Sequence, residues 1–132
     1  RPDFYHVGIA VAPKPQAHLY NAGFQEIYME TRETNAEGYR KASAINFAEG
    51  LKGELLIIHG SGETNTHLEI VEGLVDRLVE LGKQFDYMTY PNRDHGIHEG
   101  RGTSLHLRMH MVRYLLNHLP PGPRQERVDE VD

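Results

Sequence analysis

Residues 55–67 read LLIIHGSGETNTH. Leu55 to Ile58 are apolar and β-prone, without alternation, as in a strand buried on both faces of a parallel sheet. His59-Gly60-Ser61-Gly62 has the composition of a turn. Glu63 follows, and an amphipathic run begins near Thr66. The strand therefore ends by presenting a carboxylate at its carboxyl tip, and that carboxylate needs a reason.

On the carboxyl side, Thr66 to Leu81 is the clearest helix. Leu68, Val71, Leu74, Val75, Leu78 and Val79 fall on one stripe at the 3.6 period, and Gly82 stands where a helix stop is expected. FDYMTY, 85–90, alternates like a strand. Pro91 to Gly102 reads as loop, with NRDHGIHEG at its centre. A last helix is expected from about Thr103 to Leu119, through Leu105, Met109, Val112, Leu115 and Leu116. Pro120-Pro121-Gly122-Pro123 breaks it, and the acidic end RQERVDEVD is expected to be disordered.

On the amino side, VGIAVA, 7–12, is a second buried strand, ended by Pro13. The stretch from Pro13 to Tyr39 mixes aromatic and polar residues. It predicts a long excursion with short helical pieces, of the kind that builds a pocket wall. Ser43 is a candidate cap for a short helix through Leu51. The domain expected is residues 1–119, with 120–132 as tail.

Strands alternating with helices imply right-handed parallel crossovers and the α/β class: a mostly parallel sheet with helices on both faces. Ligands of such sheets bind outside the carboxyl ends of the strands. Glu63 and His95 both fall at such ends, so they can meet although 31 residues intervene.

Composition sets the bounds. The chain has 132 residues, 39% hydrophobic and 25% charged, ordinary for one globular domain. A net charge of −5 argues against a nucleic-acid binder, which needs a basic face. No apolar run approaches the length of a membrane span. The absence of cysteine excludes disulfides and thiolate metal sites and leaves the compartment open, export or periplasm as much as cytoplasm. The chain starts Arg1-Pro2-Asp3 without an initiator methionine, so a fragment or processed product is expected.

A carboxylate that accepts the Nδ1 proton of a histidine fixes its tautomer and stabilises the imidazolium formed when Nε2 takes a proton. The order acid, then histidine, is that of α/β-hydrolases, whose serine precedes both. The serines here are Ser43, Ser61 and Ser104. None lies in Gly-x-Ser-x-Gly or follows a strand as a nucleophile elbow requires.

INFAEGLKGELLIIHGSGETNTH and, downstream, YPNRDHGI resemble the terminal part of the catalytic domain in the prolyl oligopeptidase family, in its dipeptidyl peptidase IV-like branch. RPDFYHVGIAVAP resembles the segment after that family's nucleophile elbow and following helix. The similarity covers about residues 1–119. It implies the carboxyl-terminal portion of an α/β-hydrolase fold and a serine peptidase releasing amino-terminal dipeptides, after proline or a small residue. The serine, the oxyanion-hole groups and a β-propeller would lie upstream of Arg1. By this resemblance His95 is the triad histidine and Glu63 the triad acid, where the family usually has Asp. Thr64 stands where a second Asp is frequent. Asn65 would help hold the substrate carbonyl. Tyr20 and Phe24 would wall the proline pocket, and Thr66 sits where a small apolar residue is usual. Ala17 replaces a usual Trp, and Lys14 lies near another pocket-wall position. Homo-oligomerisation, with the last helix contributing, is implied too. No cofactor or metal is expected. The expected partners are peptide substrate and the upstream part of the same polypeptide.

Other readings compete. Glu63 can be a first-turn carboxylate favoured by the helix dipole, Asn65 a helix cap, and Tyr20 and Phe24 simple packing. His106 and His110 have metal-ligand spacing but lack the intervening Glu of zinc proteases. Gly60-x-Gly62 resembles a dinucleotide turn, but its third glycine would be Asn65, and Glu63 would repel a pyrophosphate. A non-catalytic piece that assembles through its sheet edge is the remaining alternative. Alone, the chain is expected to be inactive, and to be poorly soluble or to dimerise through the VGIAVA edge.

Overall fold

The computed structural model describes residues 4–119; the tail expected at 120–132 lies outside the described residues. Three strands, β1 (Val7–Val11), β2 (Glu54–Gly60) and β3 (Asp86–Tyr90), form one parallel sheet with β2 in the middle. Val11 pairs with Ile58, and Gly60 with Tyr90, so the carboxyl tips of β2 and β3 are level. Four helices accompany them: α1 (Ala22–Met29), α2 (Ala36–Ala42), α3 (Leu68–Glu80) and α4 (Thr103–His118). Short 3-10 segments cover Ala17–Leu19 and Ala44–Gly50, so the excursion after β1 does contain short helical pieces.

The unbroken apolar run of β2 is explained by a core on each side. Leu56 and Ile58 pack with Tyr90, Ile97, Leu107 and Tyr114 under α4. Ile57 points the other way, into Ala48, Val71, Leu74 and Leu78 under α3. A strand sandwiched in this manner has no face left for polar residues. β1 pairs only with β2 among the described residues.

Helix α3 ends as expected. Gly82 has φ 64, its N–H reaches Val79 O at 2.9 Å, and Lys83 N reaches Leu78 O at 2.9 Å. That is a Schellman closure, in which the left-handed residue is most easily a glycine. Its start differs from the expectation: α3 begins at Leu68, with His67 as cap, not at Thr66. The amides of Asn65 and Thr66 are bound by the Glu63 carboxylate and that of Thr64 by Asp94. Residues 64–66 bend round those two carboxylates, and regular helix begins only after them.

Three further local readings are corrected. Val79 is 62% exposed, and Ile70 takes its place in the buried stripe. Five residues beyond Leu74, Val79 lies about 140° round the axis from it. Ser43 makes no cap bond to the segment that follows it. Its buried hydroxyl instead donates to Tyr39 O and accepts from Ala17 N, tying α2 to the turn after β1. The last helix is present, but Leu105, Met109, Val112, Leu115 and Leu116 lie outside, 41–67% exposed. Its inner face is Thr103, Leu107, Met111 and Tyr114. That face mixes polarities, so apolar counting favoured the wrong side.

Candidate active site

Two loops leave the carboxyl tips of neighbouring strands and are stitched together. Ser61 N donates to Tyr90 O at 2.9 Å, Gly62 N to Arg93 O at 3.1 Å, and Asn92 N to Ser61 Oγ at 2.8 Å. The approach is close enough to require glycine. A Cβ on Gly60 would stand 2.1 Å from Arg93 O. Beyond the stitches, Ile97 plugs the His95 loop into the core with its side chain fully buried. It does so at φ 46, a backbone conformation that costs a β-branched residue energy.

This framework brings Glu63 and His95 together. His95 Nδ1 lies 2.7 Å from Glu63 Oε2. The other carboxylate oxygen, Oε1, accepts from Asn65 N at 2.7 Å and Thr66 N at 3.1 Å. The Glu63 side chain is wholly buried, whereas that of His95 is 51% exposed. Burial, the largest influence on Glu63, pushes its pKa up. The Asn65 amide, the His95 ring and the Thr66 amide push the other way, and the net result lies below the ordinary glutamate value. An ionised Glu63 accepts but cannot donate, so Nδ1 carries the proton and Nε2 is the basic nitrogen. Nε2 has no hydrogen-bond partner among the described residues. The pair can therefore take a proton at an open edge of the ring and stabilise the charge that results.

The two amide hydrogen bonds on Oε1 hold the Glu63 carboxylate from behind, from the strand-to-helix loop.

The other candidates are placed as follows. Asn65 is exposed and its side chain makes no cap bond; His67 occupies the cap position of α3. Thr66 is buried, and its amide is what touches Glu63. Tyr20 and Phe24 stand edge-to-face with centroids 6.0 Å apart, on the excursion that follows the carboxyl end of β1. Lys14 Nζ lies 4.5 Å from the Tyr20 ring centroid and donates to Gln25 Oε1 at 2.8 Å. Ala17 is fully buried. Neither aromatic ring stacks on or hydrogen-bonds to Glu63 or His95. His106 and His110 stack at 6.4 Å, with His106 Nδ1 sharing a 2.7 Å hydrogen bond with the Tyr90 hydroxyl.

No serine among the described residues completes a triad. Ser43 and Ser61 have engaged hydroxyls, and Ser104 sits in the first turn of α4. Sequence reasoning assigned no role to Asp94, Ile97 or Glu99, and it weighed Ser61 only as a turn residue and a nucleophile. Glu99 Oε2 accepts from Asp94 N at 3.3 Å and His98 N at 3.2 Å, bracing the loop from behind.

The chain is similar to known proteins of one family. The sequence pattern of the Prolyl oligopeptidase family matches residues 1–121. Dipeptidyl peptidase 4 of Bos taurus is 34% identical over 114 residues, covering 84% of this chain and 15% of the bovine protein. A probable dipeptidyl-aminopeptidase B of Coccidioides posadasii is 37% identical over 97 residues, 71% of this chain and 10% of the fungal one. The crystal structure of Porphyromonas gingivalis dipeptidyl peptidase 4 superposes with a TM-score of 0.84 at 35% identity, over 87% of this chain and 16% of that one. The chain thus spans about a sixth or less of the length of these relatives.

Proposed function

The chain belongs to the prolyl oligopeptidase family, and from that premise we propose that it is the carboxyl-terminal part of the catalytic domain of a serine peptidase. Its sheet is a portion of an α/β-hydrolase fold. The peptidase releases amino-terminal dipeptides, with proline or a small residue preferred before the scissile bond. This segment supplies the acid and the histidine. The serine, the oxyanion-hole donors and the groups that hold the substrate's free amine belong to the upstream part of the polypeptide, so the 132 residues alone are inactive.

The observation that carries this reading is the 2.7 Å contact between His95 Nδ1 and a buried, amide-anchored Glu63, with Nε2 left open. In the intact enzyme the serine hydroxyl attacks the peptide carbonyl while Nε2 takes its proton. Glu63 stabilises the imidazolium, which gives the proton to the departing amine. Water then repeats the sequence on the acyl-enzyme and frees the serine. Asn65 assists at the substrate carbonyl. Tyr20 and Phe24 wall the pocket for the residue before the scissile bond, and Thr66 supports that rim.

The upstream part covers the free side of β1 and the apolar groove lined by Pro13, Phe47, Leu51 and Leu55. The intact protein is a homo-oligomer whose contact includes the exposed apolar residues of α4. Mass-spectrometric analysis of peptide digestion by the intact polypeptide tests the activity. Dipeptides should leave peptides with a free amino terminus and not their acetylated counterparts. Equal cleavage of both, or release of single residues, would exclude this reading.

A further inference from the structure

We propose that Asp94 is a positioning residue for the acid–imidazole pair, with Thr64 as its counterpart, and that this latch keeps the His95 ring against Glu63. The inference deepens the peptidase reading and rests on it for its kinetic consequences.

The His95 loop is fixed at both ends. Asn92 and Arg93 are stitched to Ser61 and Gly62, and Ile97 is sunk in the core. Asp94, His95 and Gly96 span the gap. Besides His95 itself, Asp94 is the residue of that span whose side chain reaches the Glu63 loop. One of its oxygens, Oδ1, accepts three hydrogen bonds: Thr64 N at 3.0 Å, Thr64 Oγ1 at 3.1 Å and His95 N at 2.8 Å. Among the described residues the second, Oδ2, has only a share of that same Thr64 hydroxyl, at 3.3 Å.

Thr64 directly follows Glu63, and Asp94 directly precedes His95. The four residues therefore form a closed ring of two peptide links, the latch and the Nδ1–Oε2 contact. Swinging His95 away from Glu63 by backbone rotation breaks the latch, and breaking the latch frees His95. The amide of Thr64, the largest influence on Asp94, lowers its pKa and keeps it an ionised, strong acceptor at neutral pH.

Because nearly all the bonding is to Oδ1, asparagine should substitute and alanine should not. The test uses the intact polypeptide with Asp94→Asn, Asp94→Ala and Thr64→Val. Turnover is counted per site titrated with an active-serine phosphonate, and the His95 Nδ1 proton is followed by NMR. Asp94→Ala should lower kcat roughly 10- to 100-fold with KM within about threefold, the scale of a misplaced catalytic group. Its Nδ1 resonance should broaden or vanish. Asp94→Asn should restore both signals to near wild type, which a loss of general stability would not arrange. Thr64→Val keeps the amide and loses the hydroxyl, so its kcat should fall less than that of Asp94→Ala but measurably. Wild-type kcat and resonance in Asp94→Ala would overturn the proposal, as would equal damage from Asp94→Asn. Should Asp94→Ala not fold, an unchanged kcat in Thr64→Val overturns it. If the wild-type protein is not labelled by the phosphonate, the peptidase reading fails, and the resonance in the variants still decides the latch.

Discussion

Replacing Glu63 by Gln in the intact polypeptide keeps the side-chain length and removes only the charge and one acceptor. The new carbonyl oxygen can occupy the Oε1 position and keep the amides of Asn65 and Thr66, now at 2.7 and 3.1 Å. The new NH2 then falls where Oε2 accepts from His95 Nδ1 at 2.7 Å. Two donors face each other. The charged hydrogen bond that is lost contributes about 1.5–3 kcal/mol, and an opposed, unsatisfied donor costs a further 1–3 kcal/mol or so. The ring escapes by moving its proton to Nε2, which leaves that nitrogen unable to accept the serine proton. Returning to the productive tautomer costs the sum, about 2.5–6 kcal/mol, or roughly 10²- to 10⁴-fold in kcat. The upper end matches the cost of the corresponding acid-to-amide change in the trypsin-like triad. The assay is steady-state dipeptide release, with kcat and KM separated and active sites titrated. KM should stay within about threefold, since the wholly buried Glu63 side chain is closed to substrate. A kcat within tenfold of wild type would refute the reasoning.

The folded-state pKa values of Glu63 and Asp94 both lie below the ordinary carboxylate values. Each therefore adds stability that is present above the unfolded pKa, near 4, and is lost as pH falls through the lower folded value. Urea unfolding from pH 7 to 3 should show this decline, and Glu63→Gln should flatten it; an identical slope in the variant would count against the bonding described. Gly60→Ala, which would drive a Cβ to 2.1 Å from Arg93 O, should cost about 1–3 kcal/mol by denaturant unfolding, whereas a neutral result would mean the two loops are not in close contact. Met109→Glu with Val112→Glu, on the exposed face of α4, should shift the intact protein to monomer in sedimentation velocity; an unchanged oligomer rejects that face as an interface.

Much of the fold was legible because its signals are local. The apolar run of β2 and the glycine stop of α3 each state a structural requirement within a few residues. The inner face of α4 was not legible. Thr103 and Tyr114 lie inside while Leu105 and Leu116 lie outside, and no count of hydrophobic residues recovers that choice. At the site, parallel strand topology allowed Glu63 and His95 to meet, and the family resemblance paired them. The parts that hold the pair were not legible. Asp94 and Ser61 act on backbone amides of the neighbouring loop and Glu99 on amides of its own, and a sequence does not reveal which amides turn toward which side chain. The start of α3 differs for the same reason, since residues 64–66 bend round carboxylates that the sequence does not pair with them. One signal was available for Asp94: an acceptor placed directly before the key histidine, in a loop rich in glycine.

The most direct test of the central claim is labelling of the intact polypeptide by a fluorophosphonate, with and without His95→Ala. One phosphonyl group per chain is predicted, on a serine upstream of Arg1, with the labelling rate collapsing in the variant and no label on the 132-residue chain alone. Undiminished labelling in His95→Ala would show that the imidazole held by Glu63 activates no nucleophile.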